Sequence, residues 1–542
     1  MARRDRKTKA AAPAKKSSPT PTSTATQPNL ALPLIVIAAA IALRLTRLMS
    51  DVPVVGDESI YLRWAEIIDN QGQWLISLLD GKQPLSYWLL ALTRLIWPGD
   101  PLLAGRLISV AAGGATTWLV YRIGDRLGGR SVGLVSAALY AILPWAMLYD
   151  RLMYTEALVN LGGSAVFWTS LSAFGDDRPN RLRDLGAGLA LGLAFFCKST
   201  ALLFAPLPLL AGLLYARRQP ARLAVRLATI YAAAAVFPLF SWAMTPEAPQ
   251  LATHSAVFHK THFFLSATEL LADPFTALGA NLAALAPFLG AYLTWPCVLA
   301  FAAVLAVALR KPYPAVWLLL AASIAPVLLQ LAILTKYFSR YPYPHLWPLL
   351  VLASLAWSSL REEGKRTAAT ALVTTIAVCF GLQSLRIVLA PASALANDDA
   401  SYYFTDRPNA GFGLNQVVRR VLEQADNGPV LVLTDAIWGT PADAVFPYLN
   451  RKQGVRVHEA WWIDSDPPGP LLPGQGAEVW RSHYERVSAG RIAWNDYRAI
   501  YYVTLTNYRQ REDMLARAPG AEIELSIPKP GDREALDLYR LR

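Results

Sequence analysis

The sequence is poor in cysteine and poor in charge. Three cysteines occur in 542 residues. Cys197, Cys297 and Cys379 all sit in apolar runs, so they read as small buried hydrophobes rather than as metal ligands or bridges. This excludes a small secreted domain stapled by disulfides. Charged residues make up 17% of the chain, against about 25% in an ordinary soluble protein, which argues against a soluble enzyme and against a disordered scaffold. No internal repeat stands out. The polar C-terminal part has no glycine-rich dinucleotide fingerprint, no phosphate-binding loop and no zinc-ligand spacing.

What is abundant is apolar. Hydrophobic residues account for 54% of the chain, and the mean hydropathy is +0.29. The formal net charge is +12. The distribution of that charge argues against a nucleic-acid partner. Residues 1–29 hold Arg3, Arg4, Arg6, Lys7, Lys9, Lys15 and Lys16 against Asp5 in an Ala/Pro/Ser/Thr-rich stretch, which reads as a disordered basic cytoplasmic tail. Further basic residues gather in alternate short loops: Arg122, Arg126 and Arg130; Arg178, Arg181 and Arg183; Arg217, Arg218, Arg222 and Arg226; Arg310 and Lys311; Arg361, Lys365 and Arg366. That is the positive-inside pattern of a multi-span membrane protein.

A spanning helix needs about 20 mostly apolar residues, with a range of about 17–25. The candidate runs are Leu30 to Leu48, Leu103 to Tyr121, Val132 to Leu148, Ala157 to Phe174, Leu185 to Cys197, Ala201 to Tyr215, Leu227 to Met244, Leu289 to Leu309, Ala315 to Leu334, Leu346 to Leu360 and Thr367 to Ala390. Eleven spans with a cytoplasmic N-terminus place every basic loop inside and the C-terminus outside. A cleaved signal peptide is the alternative for the first run, but Arg44 and Arg47 follow it and no small-residue cleavage site does. Pro84 to Trp97 is apolar but short, and reads as an interfacial helix. The expected fold class is therefore an α-helical multi-span protein of about 11 transmembrane helices over residues 30–390, with an extracytoplasmic α/β domain over residues 397–542. In that domain Pro429 to Thr434, Gly454 to Glu459, Arg498 to Thr506 and Ala521 to Ile527 read as strands, and Asn415 to Ala425 and Asn507 to Ala518 as helices.

This topology puts an unusual set of polar residues on the outer face: Asp57 and Glu58 after the first run, Lys82 before the interfacial helix, Arg151 and Glu156 between the third and fourth runs, Lys198 between the fifth and sixth, and Arg340 with Tyr341 before the tenth. Ionisable groups at membrane depth are costly and so are functional candidates. A sugar carried on a lipid phosphate needs cations around a leaving group that gathers charge. The attacking hydroxyl needs a carboxylate to take its proton.

These motifs, in this order, resemble the polyprenyl-phosphate-dependent membrane glycosyltransferases of the GT-C fold, a group that includes the aminoarabinose transferases and the protein O-mannosyltransferases. The resemblance covers roughly Leu30 to Leu360 and rests on the Asp57-Glu58 pair, the Lys82-x-Pro-Leu-x-Tyr-Trp stretch, Arg151 with Glu156, the Lys198 turn and Arg340-Tyr341. It implies an inverting hexosyl or pentosyl transferase of the plasma membrane. Asp57 would be the catalytic base, with Glu58 its companion and Glu156 a second acid, and Arg151 would support the site. Lys82, Lys198, Arg340 and Tyr341 would bind the donor phosphate. The implied partners are a polyprenyl-phosphate-linked sugar, membrane lipids, and an exported protein, glycolipid or polysaccharide acceptor. Gly81 and Ile60 depart from the aminoarabinose-transferase pattern, which has an acid and an arginine there, and this favours a neutral sugar.

Each residue also has a plainer reading. Asp57 and Glu58 could cap a helix N-terminus, Lys82 and Lys198 could snorkel to headgroups, Arg151 could bridge to Asp150 or Glu156, and Arg340-Tyr341 could be an interfacial anchor. No cofactor is required by the sequence. A divalent metal is conceivable at His259 and His262, with Glu58 or Asp80 completing it, although these histidines, with His254, read more readily as a wet loop near the substrates. Trp461-Trp462 could stack on a sugar or belong to a core. A transporter or flippase of lipid-linked sugars is the alternative function. It would require charged residues deep in several spans, and these spans are nearly free of acids.

Overall fold

The computed structural model describes residues 30–459 and 496–541, apart from 50–52, 98, 176–178, 217–218, 245–262, 274, 311, 406–408, 436–438, 507–510, 513–514, 516–519 and 532–533. The basic tail, His254, His259, His262, Trp461, Trp462 and most of the expected helix Asn507 to Ala518 lie outside the described residues.

The membrane part begins with Ala31–Leu45 (α1), Gly56–Gln71 (α2), Leu85–Ile96 (α3), Pro101–Gly128 (α4), Arg130–Ala141 (α5), Pro144–Tyr149 (α6) and Thr155–Phe174 (α7). It continues through Arg181–Cys197 (α8), Pro206–Tyr215 (α9), Pro220–Ala243 (α10), Thr276–Tyr292 (α11), Trp295–Arg310 (α12), Pro314–Ile333 (α13), Trp347–Glu362 (α14) and Arg366–Leu389 (α15). Among the described residues, α4, α7, α10, α13 and α15 are long and apolar enough to cross a membrane.

The other six of the eleven expected runs fall on shorter or broken helices. Pro144 has no N–H for a helical bond, so the third run divides into α5 and α6. The eighth run was expected as one span, but its chain breaks at Thr294, a non-glycine residue with φ of 67°. The apolar helix α11, most of which lies outside the expected runs, meets α12 there at 105°. The short apolar helix α3 buries Tyr87, Leu90, Ala91 and Arg94 and exposes Leu92, Leu95 and Ile96 on its other side, the two-faced form of a helix lying in an interface.

Local chemistry sets the boundaries. Asp100 caps α4 by accepting from the Leu102 and Leu103 amides at 2.8 and 3.2 Å, and Pro101 needs no partner for its missing N–H. Asn180 caps α8 in the same way. Small residues bring the helices together, since lipid supplies no hydrophobic drive for helix association. A Cβ on Gly188 of α8 would lie 2.3 Å from the Ile230 carbonyl of α10, and one on Gly133 of α5 would lie 2.6 Å from the Tyr121 carbonyl of α4.

After α15 come Asn397–Phe404 (α16), Leu414–Ala425 (α17) and Ala442–Leu449 (α18). The strands are Val54–Val55 (β1), Ala410–Gly411 (β2), Val430–Thr434 (β3), Val455–Glu459 (β4), Ala499–Leu505 (β5), Glu522–Pro528 (β6) and Ala535–Arg540 (β7). Five form a mixed sheet of order β4-β3-β5-β7-β6, parallel at β4-β3-β5 and antiparallel at β5-β7-β6. β3 and β5 are buried on both faces, as expected for parallel strands with cover on each side. Strand β7 adds to the four expected strands; its Asp537 is buried and accepts from Arg511. The remaining pair joins the two parts of the chain: β1 pairs antiparallel with β2, Val54 opposite Gly411 and Val55 opposite Ala410.

Candidate active site

Asp57 is the second residue of α2. Strand β1 delivers the chain in extended form, and α2 starts at Gly56, whose amide donates to the Asn409 carbonyl at 2.7 Å. Two acids in the first turn suit the positive end of the helix. Arg340, 283 residues away, donates to the Asp57 carboxylate, and its Nε lies 3.8 Å from Glu156 Oε1. Glu156 occupies the first turn of α7 and accepts from Lys198 Nζ at 2.6 Å. Lys198 follows the last residue of α8, Cys197, in an extended conformation. Asp57, Glu156, Lys198 and Arg340 thus form one chain of contacts from four separate segments.

Lys82 borders the cluster. Its ammonium is 2.8 Å from Asp80 and stands over the rings of Trp64 and Tyr61 at 5.0 and 5.6 Å. The chain can place Asp80 there because Gly81 adopts φ of 66° and turns Lys82 back on the preceding 3₁₀ turn. A carboxylate therefore stands beside this lysine, although the position directly before it is glycine. Tyr341 contacts Tyr337 and Phe338, and the Arg340 guanidinium lies over Phe338, Tyr154 and Tyr341 at 5.2–5.9 Å.

The electrostatics follow from this arrangement. Burial would raise the Asp57 pKa, but Arg340, Lys82 and Lys198 outweigh it and hold the carboxyl below its ordinary 3.8. Burial would lower Lys82, but Asp80 and Asp57 keep it raised. For Lys198 burial prevails over the pull of Glu156, and its pKa is lowered. Arg340 Nε is buried and makes no hydrogen bond, and the buried Tyr154 hydroxyl also lacks a partner. Donors left unsatisfied in this way are costly unless something else fills the site. A small crevice of about 20 Å³ is lined by Tyr61, Tyr87, Leu90, Ile108, Met153 and Tyr154.

Two expected site residues sit elsewhere. Glu58 is fully buried and faces away from the cluster. Its two oxygens take Arg106 Nε and Nη2 at 3.0 and 2.9 Å, the Met153 amide at 2.8 Å and the Val55 amide at 3.1 Å. Its acceptor positions are filled by the fold, so it positions α2 rather than accompanying Asp57 in chemistry. Arg151 meets carbonyls instead of the bridge to Asp150 or Glu156. It donates to Arg44, Thr46 and Arg47 oxygens at 2.9–3.2 Å and so satisfies the end of α1. Asp150 belongs to Arg44 at 2.8 Å and to the hydroxyls of Tyr140 and Tyr343. Arg44 and Arg106 were the legible signal for these pairs, since each lies inside an apolar run and must find a buried acid. The two acids that could complete a metal site are occupied, Glu58 by Arg106 and Asp80 by Lys82, and the described residues contain no group of three metal-ligating side chains.

With this geometry in hand, comparison with known proteins identifies the architecture. ArnT from Cupriavidus metallidurans in its apo state superposes with a TM-score of 0.62 at 11% identity, covering 94% of this chain and 97% of ArnT. ArnT bound to undecaprenyl phosphate superposes with a TM-score of 0.59 at 14% identity, covering 94% and 98%. The chain has the GT-C fold. The family model of dolichyl-phosphate-mannose-protein mannosyltransferases matches residues 81–244, which within this GT-C fold run from the turn before Lys82 to the end of α10 and include Arg151, Glu156 and Lys198. No curated protein matches the chain in sequence. The GT-C fold makes the chain a multi-pass membrane protein, and its cluster of acids and bases is drawn from the segments that join the helices.

Proposed function

We propose that this protein is a membrane glycosyltransferase that moves a sugar from a polyprenyl phosphate to the hydroxyl of an exported acceptor, at the outer face of the plasma membrane. The observation that carries the reading is the buried Arg340 Nε, which makes no hydrogen bond and has only the Glu156 carboxylate 3.8 Å away, in a cluster where three cations offset three acids. The family match at residues 81–244 and the undecaprenyl phosphate bound to ArnT support a lipid-phosphate donor.

In the resting cluster Arg340 and Asp57 neutralise each other. A donor phosphate entering between Lys82, Lys198 and Arg340 takes over the guanidinium and releases Asp57. Asp57 then accepts the proton of the acceptor hydroxyl as its oxygen bonds to the anomeric carbon, on the face opposite the phosphate. The bond from that carbon to the phosphate oxygen breaks. The electron pair leaves with the polyprenyl phosphate, a singly charged diester becoming a doubly charged monoester, and the three cations stabilise the added charge. Inversion follows from attack on the far face. In this scheme the side chains of Lys82, Lys198 and Arg340 hold the phosphate. Tyr341 and the Tyr154 hydroxyl, which makes no hydrogen bond in the resting site, contact the donor in the same scheme.

The basic loops support a cytoplasmic N-terminus and an extracytoplasmic C-terminal domain. The test of function is transfer from a synthetic polyprenyl-phosphate sugar by the purified protein. Undiminished turnover by Asp57→Ala would remove Asp57 from the mechanism. Comparing exported glycans and glycoproteins in cells with and without the gene identifies the sugar and the acceptor.

A further inference from the structure

The two halves of the Asp57–Arg340 pair are set by a part of the chain that follows the last membrane helix. Ser339, next to Arg340, is held by the Trp145 indole on its carbonyl at 2.8 Å and by the Tyr149 hydroxyl on its Oγ at 2.6 Å. The same Trp145 ring packs against Tyr292 at 4.7 Å, and the Tyr292 hydroxyl donates to the carboxyl of Asp399 on α16. Asp399 is buried. One turn on, Tyr403 packs against the Tyr154 ring at 6.3 Å, and the Arg340 guanidinium lies over that same ring at 5.6 Å. A few residues later the Asn409 carbonyl takes the Gly56 amide, and Gly411 pairs with Val54 so closely that a Cβ on it would lie 2.6 Å from the Val54 carbonyl.

We propose that the stretches 397–404 and 409–411 are positioning elements of the active site, with Asp399 setting the Arg340 loop and Asn409–Gly411 setting the first turn of α2 and hence Asp57. Asp57 and Arg340 come from segments with no covalent proximity, and this part of the chain touches the support of both. The proposal rests on the function argued above, because it assigns Asp399 an effect on phosphate binding exerted through Arg340.

A double-mutant cycle separates that effect from general damage, since only residues that act through one another give non-additive losses. The probe is a polyprenyl phosphate without sugar, titrated against the purified full-length protein. Asp399→Ala is expected to weaken binding about tenfold in the native background and less than about twofold when Arg340 is already Ala. Tyr292→Phe, which removes only the hydroxyl on Asp399, gives a smaller loss with the same dependence if Asp399→Ala does not fold. Gly411→Ala is expected to cut turnover about tenfold while probe affinity stays within about twofold, since it moves the base and not the phosphate grip. Equal losses from Asp399→Ala, or from Tyr292→Phe, in both Arg340 backgrounds would overturn the proposal while leaving the functional reading intact. No probe binding by the native protein would overturn both.

Discussion

Arg340 meets two carboxylates, Asp57 and Glu156, and under the proposed function an incoming phosphate would compete for the same guanidinium. That competition gives Asp57 and Arg340 opposite mutational signatures. Asp57→Asn should reduce turnover by about 10²–10⁴-fold, the usual contribution of a positioned base, yet leave polyprenyl phosphate affinity unchanged or tighter, because the resting partner of Arg340 has lost its charge. Titration of the lipid phosphate alongside turnover checks this, and weaker phosphate binding by Asp57→Asn would contradict it. Asp399 supplies a pH signature. Burial pushes its pKa up to about 6 from 3.8, Asp398 adds to the rise, and Ser339, Tyr292 and Arg340 oppose it. Because the folded value exceeds the unfolded one, its contribution to stability is full below 3.8 and is lost as pH rises through about 6. Melting curves of wild type and Asp399→Asn across that window should diverge, the variant lacking the downward slope. The acids and bases of the cluster could be picked out in the sequence by type and by their place between apolar runs. Their pairing could not, since nothing local says that Arg340 meets Asp57 while Arg106 takes Glu58.

At the scale of an element, α2 shows how adjacent acids part ways. Asp57 projects toward the cluster and keeps some exposure, whereas Glu58 is buried against Arg106 of α4 and the Met153 amide. Glu58→Ala leaves Arg106 as a buried charge without its carboxylate and should cost about 3–5 kcal/mol. Asp57→Ala should melt close to wild type. Thermal unfolding in detergent distinguishes them, and equal melting temperatures would refute the division of labour. The far end of α2 is held from the C-terminal part, by Asn450 on Glu66 at 2.7 Å, Arg451 on Asp69 at 2.7 Å and Arg63 over the Phe446 ring at 3.5 Å. Helix contacts in the membrane obey a different constraint. Gly188→Leu should separate α8 from α10 and lower the melting temperature by several degrees, and with it the position of Lys198 at the end of α8. The helical period and the apolar runs made these elements legible. Their breaks were less so: Pro296, the second residue of α12, marks where a new helix can begin, but the left-handed turn falls on Thr294 with no glycine to announce it.

At the scale of the molecule, the membrane part and the α/β part share α2, which both of them grip. The charge pattern predicts that a cysteine introduced at the C-terminal end of the chain is labelled by a membrane-impermeant reagent in intact cells and one before Leu30 is not. The opposite labelling would invert the outer-face site. Composition, apolar run length and the spacing of basic loops were sufficient for a multi-span helical protein with a polar domain behind it, because burial in lipid is additive along the chain and each run carries its own share. The convergence of Asp57, Glu156, Lys198 and Arg340, the assignment of Glu58 to a buried clamp, and the reach of Asp399 and Gly411 to the site were decided only by the tertiary structure. Ion pairing and hydrogen bonding depend on distances of a few ångströms between segments hundreds of residues apart, and those distances exist only once the helices have packed.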